Sequence, residues 1–271
     1  MLSDITIGQF FPGNSLVHKI DPRMKLVITV LYIVGVFLAT NLLSVFSVLL
    51  IAFLFVLAGR IPLGTVLKSL KPLRFIILFT ALLNLFWTDG ENLLCSFWIF
   101  DIYREGVIRA LFIIVRIVAL LMGTTVLISY TTSPIALTDG LEQLLAPLKK
   151  IKVPVHDFAM MMTIALRFIP TLIEETDKIM SAQKARGTDF SSGSPLKRAK
   201  ALVPIFIPLF LSCIRRADDL ATAMECRCYN GGKGKTRMNI LRYKATDFVF
   251  LAIMILITAG IIGLNQIPLP F

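Results

Sequence analysis

Two short motifs, Ala185-Arg186-Gly187 and Cys226-Arg227-Cys228, lie about forty residues apart and hold the residues best suited to chemistry at a surface. A guanidinium is a permanently charged, planar, multi-donor fork that fits a groove lined with carboxylates and carbonyls. The chemistry it offers is docking, not bond making. An arginine at a helix C-terminus ordinarily complements the helix dipole. Two of them, each ending an equivalent apolar stripe, point instead to paired contacts with a partner.

The stripes follow helical spacing. From Phe158 the positions Phe158, Met162, Ala165, Ile169, Leu172, Thr176 and Ile179 alternate by four and three, and the same progression reaches Gln183 and Arg186. A second series, Phe206, Phe210, Cys213, Ala217, Leu220 and Met224, continues by three to Arg227. Each predicts a helix of about 30 residues, roughly 45 Å long, with bends at Pro170, Pro204 and Pro208. The link from Gly187 to Pro195 reads as the turn between them. Met161, Leu166, Ile207 and Leu209 broaden the apolar faces beyond a coiled-coil seam, so two crossed helices should dock a further partner. Ser133, before Pro134, caps a shorter amphipathic helix ending near Leu148 that suits a membrane surface.

These helices belong to a strongly apolar chain. Hydrophobic residues make up 56% of the 271 and charged residues only 17%, which predicts a polytopic membrane protein. The net charge of +11 fits basic cytoplasmic loops. No basic cluster is interleaved with base-stacking aromatics, so nucleic acid is not an expected partner. The 34 uncharged residues Leu26 to Gly59 would form a helix of about 51 Å against a hydrocarbon core of roughly 30 Å, so two spans turning near Asn41 are expected. A third span is predicted over Phe75 to Trp87, a fourth over Gly106 to Tyr130 and a fifth over Asp247 to Leu264; Leu93 to Phe100, with Trp98, should dip into the outer interface.

Lys19, Arg23 and Lys25 precede the first span, and Arg60, Lys68, Lys71 and Arg74 lie between the second and third, whereas Arg104 stands alone on the other side. The N-terminus and the stretch 131–245 are therefore expected in the cytoplasm. This divides the chain into an N-terminal membrane domain, 1–130, a cytoplasmic coupling-helix domain, 131–245, and a last span, 246–271. No cleaved signal is expected. Arg116, near the middle of the fourth span, is a costly charge that should face the bundle or a partner, near Asn84; Arg109 should snorkel outward beside Glu105.

Cys95, Cys213, Cys226 and Cys228 have no zinc-ligand spacing beyond one Cys-x-Cys, and His18 and His156 are isolated, so neither a metal nor a cofactor is expected. Gly231-Gly232-Lys233-Gly234-Lys235-Thr236 lacks phosphate-loop spacing and reads as a flexible return to the last span. With no histidine in any span, an intramembrane hydrolase lacks its base, and no catalytic residue is assigned. An autonomous secondary transporter is the competing reading, although Arg116 and Asn84 are the only notable polar groups expected at membrane depth.

The ordered set of motifs resembles the transmembrane T component (EcfT) of energy-coupling factor vitamin transporters. Ile7-Gly8-Gln9-Phe10 through Pro12, Ser15, His18 and Asp21-Pro22-Arg23-Met24-Lys25-Leu26 looks like its entry signature. Thr132-Ser133-Pro134, Leu144 to Lys149, Val153-Pro154-Val155 and Ala165-Leu166-Arg167-Phe168-Ile169-Pro170 look like its central block. Gln183-Lys184-Ala185-Arg186-Gly187 and Ala223-Met224-Glu225-Cys226-Arg227-Cys228-Tyr229 look like its paired Xaa-Arg-Xaa motifs, with Cys226 where the family usually shows Ala. The resemblance implies arginine tips seated in two ABC-type ATPases, which bind the ATP. It also implies that the apolar faces, including Phe158, Met162, Ala165, Ile169, Phe206 and Phe210, hold a separate substrate-binding S component in the bilayer.

Overall fold

The break in the first apolar run falls at Thr40-Asn41. In the computed structural model, which describes residues 10–88, 93–97, 100–188, 190, 194–231 and 241–266, α1 (Pro22–Leu38) ends there and α2 (Leu42–Gly59) begins. Asp21 caps α1, and Pro22 opens it where a missing N–H costs nothing. Asn265 locks the turn: its side chain accepts from the Thr40 amide (3.1 Å) and the Ser44 hydroxyl (2.8 Å) and donates to the Leu38 carbonyl (2.6 Å).

The chain then forms α3 (Leu63–Leu70), a short 3₁₀ turn (Lys71–Leu73), α4 (Arg74–Trp87) and α5 (Arg104–Thr124), which passes into a π-helical turn (Thr125–Tyr130). The stretch expected to dip into the interface instead carries an antiparallel hairpin, β1 (Leu93–Phe97) with β2 (Phe100–Tyr103), bulged between Leu93 and Cys95. Trp98 lies outside the described residues. After α6 (Pro134–Leu144) and a 3₁₀ segment (Ala146–Ile151) come α7 (Val155–Ala185), α8 (Pro195–Cys226) and α9 (Ala245–Asn265).

This is an all-helical polytopic membrane fold apart from the small hairpin. Four described helical segments are long and apolar enough to cross a membrane: Leu42–Gly59, Arg104–Tyr130, Val155–Ala185 and Ala245–Asn265. The five expected spans share α2, α5 and α9 with that set. At 17 and 14 residues, α1 and α4 reach only about 25 Å and 21 Å, short of the hydrocarbon core unless polar flanks extend them. Conversely, α7 qualifies by length and composition, yet Glu174, Glu175, Asp177, Lys178 and Lys184 crowd its second half, the pattern of an amphipathic helix.

The described residues group into two compact units, one drawn from Gly8–Gly140 with Leu241–Phe271 and one from Leu141–Ile240. In the first, Ile28, Tyr32 and Val36 of α1, Val48, Ala52 and Val56 of α2, Val115, Ala119 and Val126 of α5, and Met254 and Ile261 of α9 form the core. Lipid is as apolar as these side chains, so close packing over small residues must hold the helices together. Gly35 lets α1 approach Thr258 and Ile261 of α9, and Gly123 lies directly beneath the Tyr32 ring, whose hydroxyl donates to the Ala119 carbonyl at 2.6 Å.

Candidate functional site: two matched helix ends

In the second unit, α7 and α8 run unbroken through Pro170, Pro204 and Pro208 and end in the same way. Arg186 caps α7, and Gly187 follows in the left-handed region at φ +89°. The Gly187 amide donates to the Lys184 carbonyl at 2.9 Å, and the Thr188 amide reaches back to the Gln183 carbonyl at 3.1 Å. This pair of bonds is the Schellman closure, which satisfies carbonyls a helix end leaves open.

Arg227 caps α8, and Cys228 takes the left-handed position at φ 55°. The Cys228 amide donates to the Glu225 carbonyl (2.8 Å) and the Tyr229 amide to the Met224 carbonyl (3.0 Å). Each Xaa-Arg-Xaa motif is thus the last helical residue, the cap and the left-handed residue. Ala185, Arg186, Gly187, Cys226, Arg227 and Cys228 are all exposed. Among the described residues, neither guanidinium makes a hydrogen bond or ion pair.

The two helices meet through polar contacts at one level. The Glu175 carboxylate accepts from the Ser212 hydroxyl and, at 2.9 Å, from the Arg216 guanidinium. An in-register hairpin would place Glu175 beside residues nearer the start of α8, so the pairing with Ser212 and Arg216 is offset along α8. Among the described residues of α7 and α8, Val155, Ala159 and Ile205 are the buried apolar ones. Arg186 lies eleven residues beyond Glu175, and Arg227 eleven beyond Arg216. Arg186 therefore stands about 16 Å along α7 from Glu175, and Arg227 about 16 Å along α8 from Arg216 and about 22 Å from Ser212.

Along the same helices, Phe158 (59% exposed), Met162, Ala165, Phe206 (65%) and Phe210 lie open, and Ile169 is half-buried. Phe206 and Phe210 stack at 6.1 Å between ring centroids. Exposed aromatic and methionine side chains in this density form a surface that favours cover.

Arg116 and Asn84 do not meet. The Arg116 guanidinium donates to the Ala39 carbonyl and lies over the Phe112 ring at 4.4 Å, folded back toward the start of α5. Asn84 donates to Thr80 in its own helix (2.8 Å), and its carbonyl lies level with Gly106. Ten residues, about 15 Å of helix, separate Gly106 from Arg116.

Sequence reasoning missed a buried polar knot in the first unit. Asp21 Oδ1 accepts from the Arg23 amide (2.9 Å) and Nε (3.1 Å), and Oδ2 accepts from the guanidinium at 3.0 Å. Arg23 also donates to the Leu241 carbonyl (2.9 Å) and stacks on Tyr243 at 3.9 Å. Asp247, wholly buried, accepts from the amides of Asp21 (3.2 Å) and Lys244 (2.8 Å). Lys25 donates to the Thr131 carbonyl (2.7 Å) and the Thr132 hydroxyl (3.2 Å). Asp21, Arg23 and Asp247 thus tie the starts of α1 and α9 together, and Lys25 ties α1 to the turn at Thr131-Thr132. The available signal was Asp247, the only acid in the last span, opposite the dense Asp21-to-Lys25 run.

Nearby, Ser15 Oγ and His18 Nδ1 lie 2.6 Å apart, and His18 Nε2 lies 2.8 Å from the Phe11 carbonyl, which folds the entry segment. Ile7-Gly8-Gln9, Ser191-Ser192-Gly193 and the basic return 232–240 lie outside the described residues. Among the described residues, no group of three or more His, Cys, Asp or Glu side chains could hold a metal ion.

Residues 13–238 match the CbiQ family model, described as cobalt transport protein. The chain is 49% identical over 265 residues to the energy-coupling factor transporter transmembrane protein EcfT of Clostridium kluyveri, covering 97% of this chain and 98% of the relative. It is 51% identical to the protein of that name from Acidaminococcus fermentans (95% and 97%) and 46% identical to that of Bacillus subtilis (96% and 97%). With paired arginine-capped helices in a helical membrane protein, and alignment over nearly the whole length of these relatives, the chain belongs to the CbiQ family of transporter membrane components, alongside the EcfT proteins of energy-coupling factor transporters.

Proposed function

We propose that this chain is the non-catalytic coupling subunit of an ATP-driven importer of a vitamin or another micronutrient. Arg186 and Arg227 dock in two ABC-type ATPase subunits, which bind and hydrolyse the ATP. The apolar faces of α7 and α8 hold a small substrate-binding membrane protein. Closure of the ATPase pair moves the two tips, and the polar contact at Glu175 and Arg216 carries that movement into the surface bearing Phe158 and Phe206.

The observation that carries this reading is the matched construction of the two helix ends, each presenting an exposed guanidinium from a Schellman cap. An arginine that serves only the helix dipole has no need of an identical cap or an equal distance from the Glu175–Arg216 contact. Loop charges support a cytoplasmic N-terminus and a cytoplasmic 131–245 segment. The CbiQ description names cobalt, whereas the relatives' names specify no cargo; in this reading cargo choice resides in the substrate-binding partner.

Removing one member of a desolvated charge pair costs about 2 to 5 kcal/mol, so the Arg186→Glu/Arg227→Glu double variant should lose both ATPases in a pull-down from native membranes in mild detergent. A folded double variant that retains both refutes the docking role. Phe206→Asp or Met162→Asp should release the membrane partner and leave the ATPases bound. Substrate binding by the isolated chain at physiological affinity would favour the autonomous transporter instead.

A further inference from the structure

A cavity of about 370 Å³ opens at the end of the first unit where the α1–α2 turn, the end of α4 and the start of α5 meet. Leu42, Ile108 and Phe112 give it an apolar floor, and Thr40 and Thr88 stand at its helix-end walls. Arg109 and Glu105 supply its charge. Glu105, Arg109, Phe112 and Arg116 follow each other by four, three and four, so one face of α5 carries two arginines and one acid.

Two facts show that this cavity is built rather than left over. Its Thr40 wall is held by the Asn265 lock, and the adjacent Ala39 carbonyl is held by Arg116 from behind Phe112. Arg109, by contrast, is exposed and makes no hydrogen bond or ion pair among the described residues.

Depth selects the ligand. Arg109 lies five residues into α5, about 7 Å from its start, and the headgroup layer of a bilayer is roughly 5–8 Å thick on each side. Trp87, 84% exposed at the end of α4, fits the aromatic belt at that level. An exposed arginine at the boundary between headgroup and hydrocarbon, above an apolar floor, matches a phosphodiester with acyl chains attached. We propose that this cavity binds an anionic phospholipid, with its phosphate on Arg109 and the first part of its acyl chains over Leu42, Ile108 and Phe112. The proposal is independent of the coupling role and of which way the chain crosses the membrane.

The test is native mass spectrometry of the full chain released from nanodiscs containing equal dioleoylphosphatidylglycerol and dioleoylphosphatidylcholine. The intact chain should retain phosphatidylglycerol at least about fivefold over phosphatidylcholine, fivefold being the share of one arginine at the membrane surface. Arg109→Gln should lower that preference about fivefold, and Ile108→Trp, which fills the cavity, should lower retention of either lipid. Arg74→Gln, on a different helix, should leave the preference intact. Equal retention of the two lipids by the unaltered chain, or an unchanged preference in Arg109→Gln, overturns the proposal. Displacement of the lipid by millimolar inorganic phosphate also overturns it, because the site would then read free phosphate.

Discussion

The left-handed residue that ends each coupling motif gives a test with opposite signs at the two ends. Gly187 has φ +89° and nothing within 4 Å of where a Cβ would stand, so the cost of Gly187→Ala is backbone strain and not crowding. Left-handed backbone costs a residue with a Cβ about 1–2 kcal/mol, and alanine recovers about 0.4–1 kcal/mol by narrowing the unfolded ensemble. The net loss is about 0.5–1 kcal/mol. Cys228 already bears that strain at φ 55°, so Cys228→Gly should gain a similar amount. The assay is amide hydrogen exchange of the full chain in detergent, read on peptides covering residues 183–188 and 224–229. Protection should fall about two- to fivefold at the end of α7 in Gly187→Ala and rise by a similar factor at the end of α8 in Cys228→Gly. Unchanged protection in the first variant, or reduced protection in the second, would refute the equivalence of the two caps.

Asp247→Ala removes the acceptor of the Asp21 and Lys244 amides from a wholly buried site and leaves the charge knot unbalanced, at a cost of about 3–5 kcal/mol; folded yield in detergent should collapse, with Asp247→Asn milder. At Gly123 an added Cβ would lie 2.3 Å from the Tyr32 ring, so Gly123→Ala should cost about 1–3 kcal/mol of thermal stability. Adding Tyr32→Leu should restore part of that loss, and a double variant no better than the single would show the strain lies elsewhere. Glu175→Ala should loosen the α7–α8 contact by about 1–2 kcal/mol without unfolding either helix, seen as faster exchange around Glu175 and Arg216 alone.

Much of the helical layout was legible because apolar periodicity and apolar run length are local properties. The turn at Asn41, the Ser133 cap and the ends of α7 and α8 at their arginines all follow from spacing, punctuation and length, and the family follows from the order of the motifs. What spacing could not supply was contact across distance. The partner of Arg116 is a carbonyl 77 positions away, and Asp247 serves an amide 226 positions away; backbone acceptors carry no side-chain signature that could announce them. The hairpin at Leu93–Tyr103 was illegible for a related reason, since a short apolar run suits a strand or an interfacial segment equally until its partner is known. By itself the sequence determined a helical membrane protein with two arginine-ended amphipathic helices. Only the tertiary structure decided that both arginines cap identical left-handed closures and stand equally far from the Glu175–Arg216 contact, because cap geometry and helix contacts depend on dihedrals and distances that residue order does not contain.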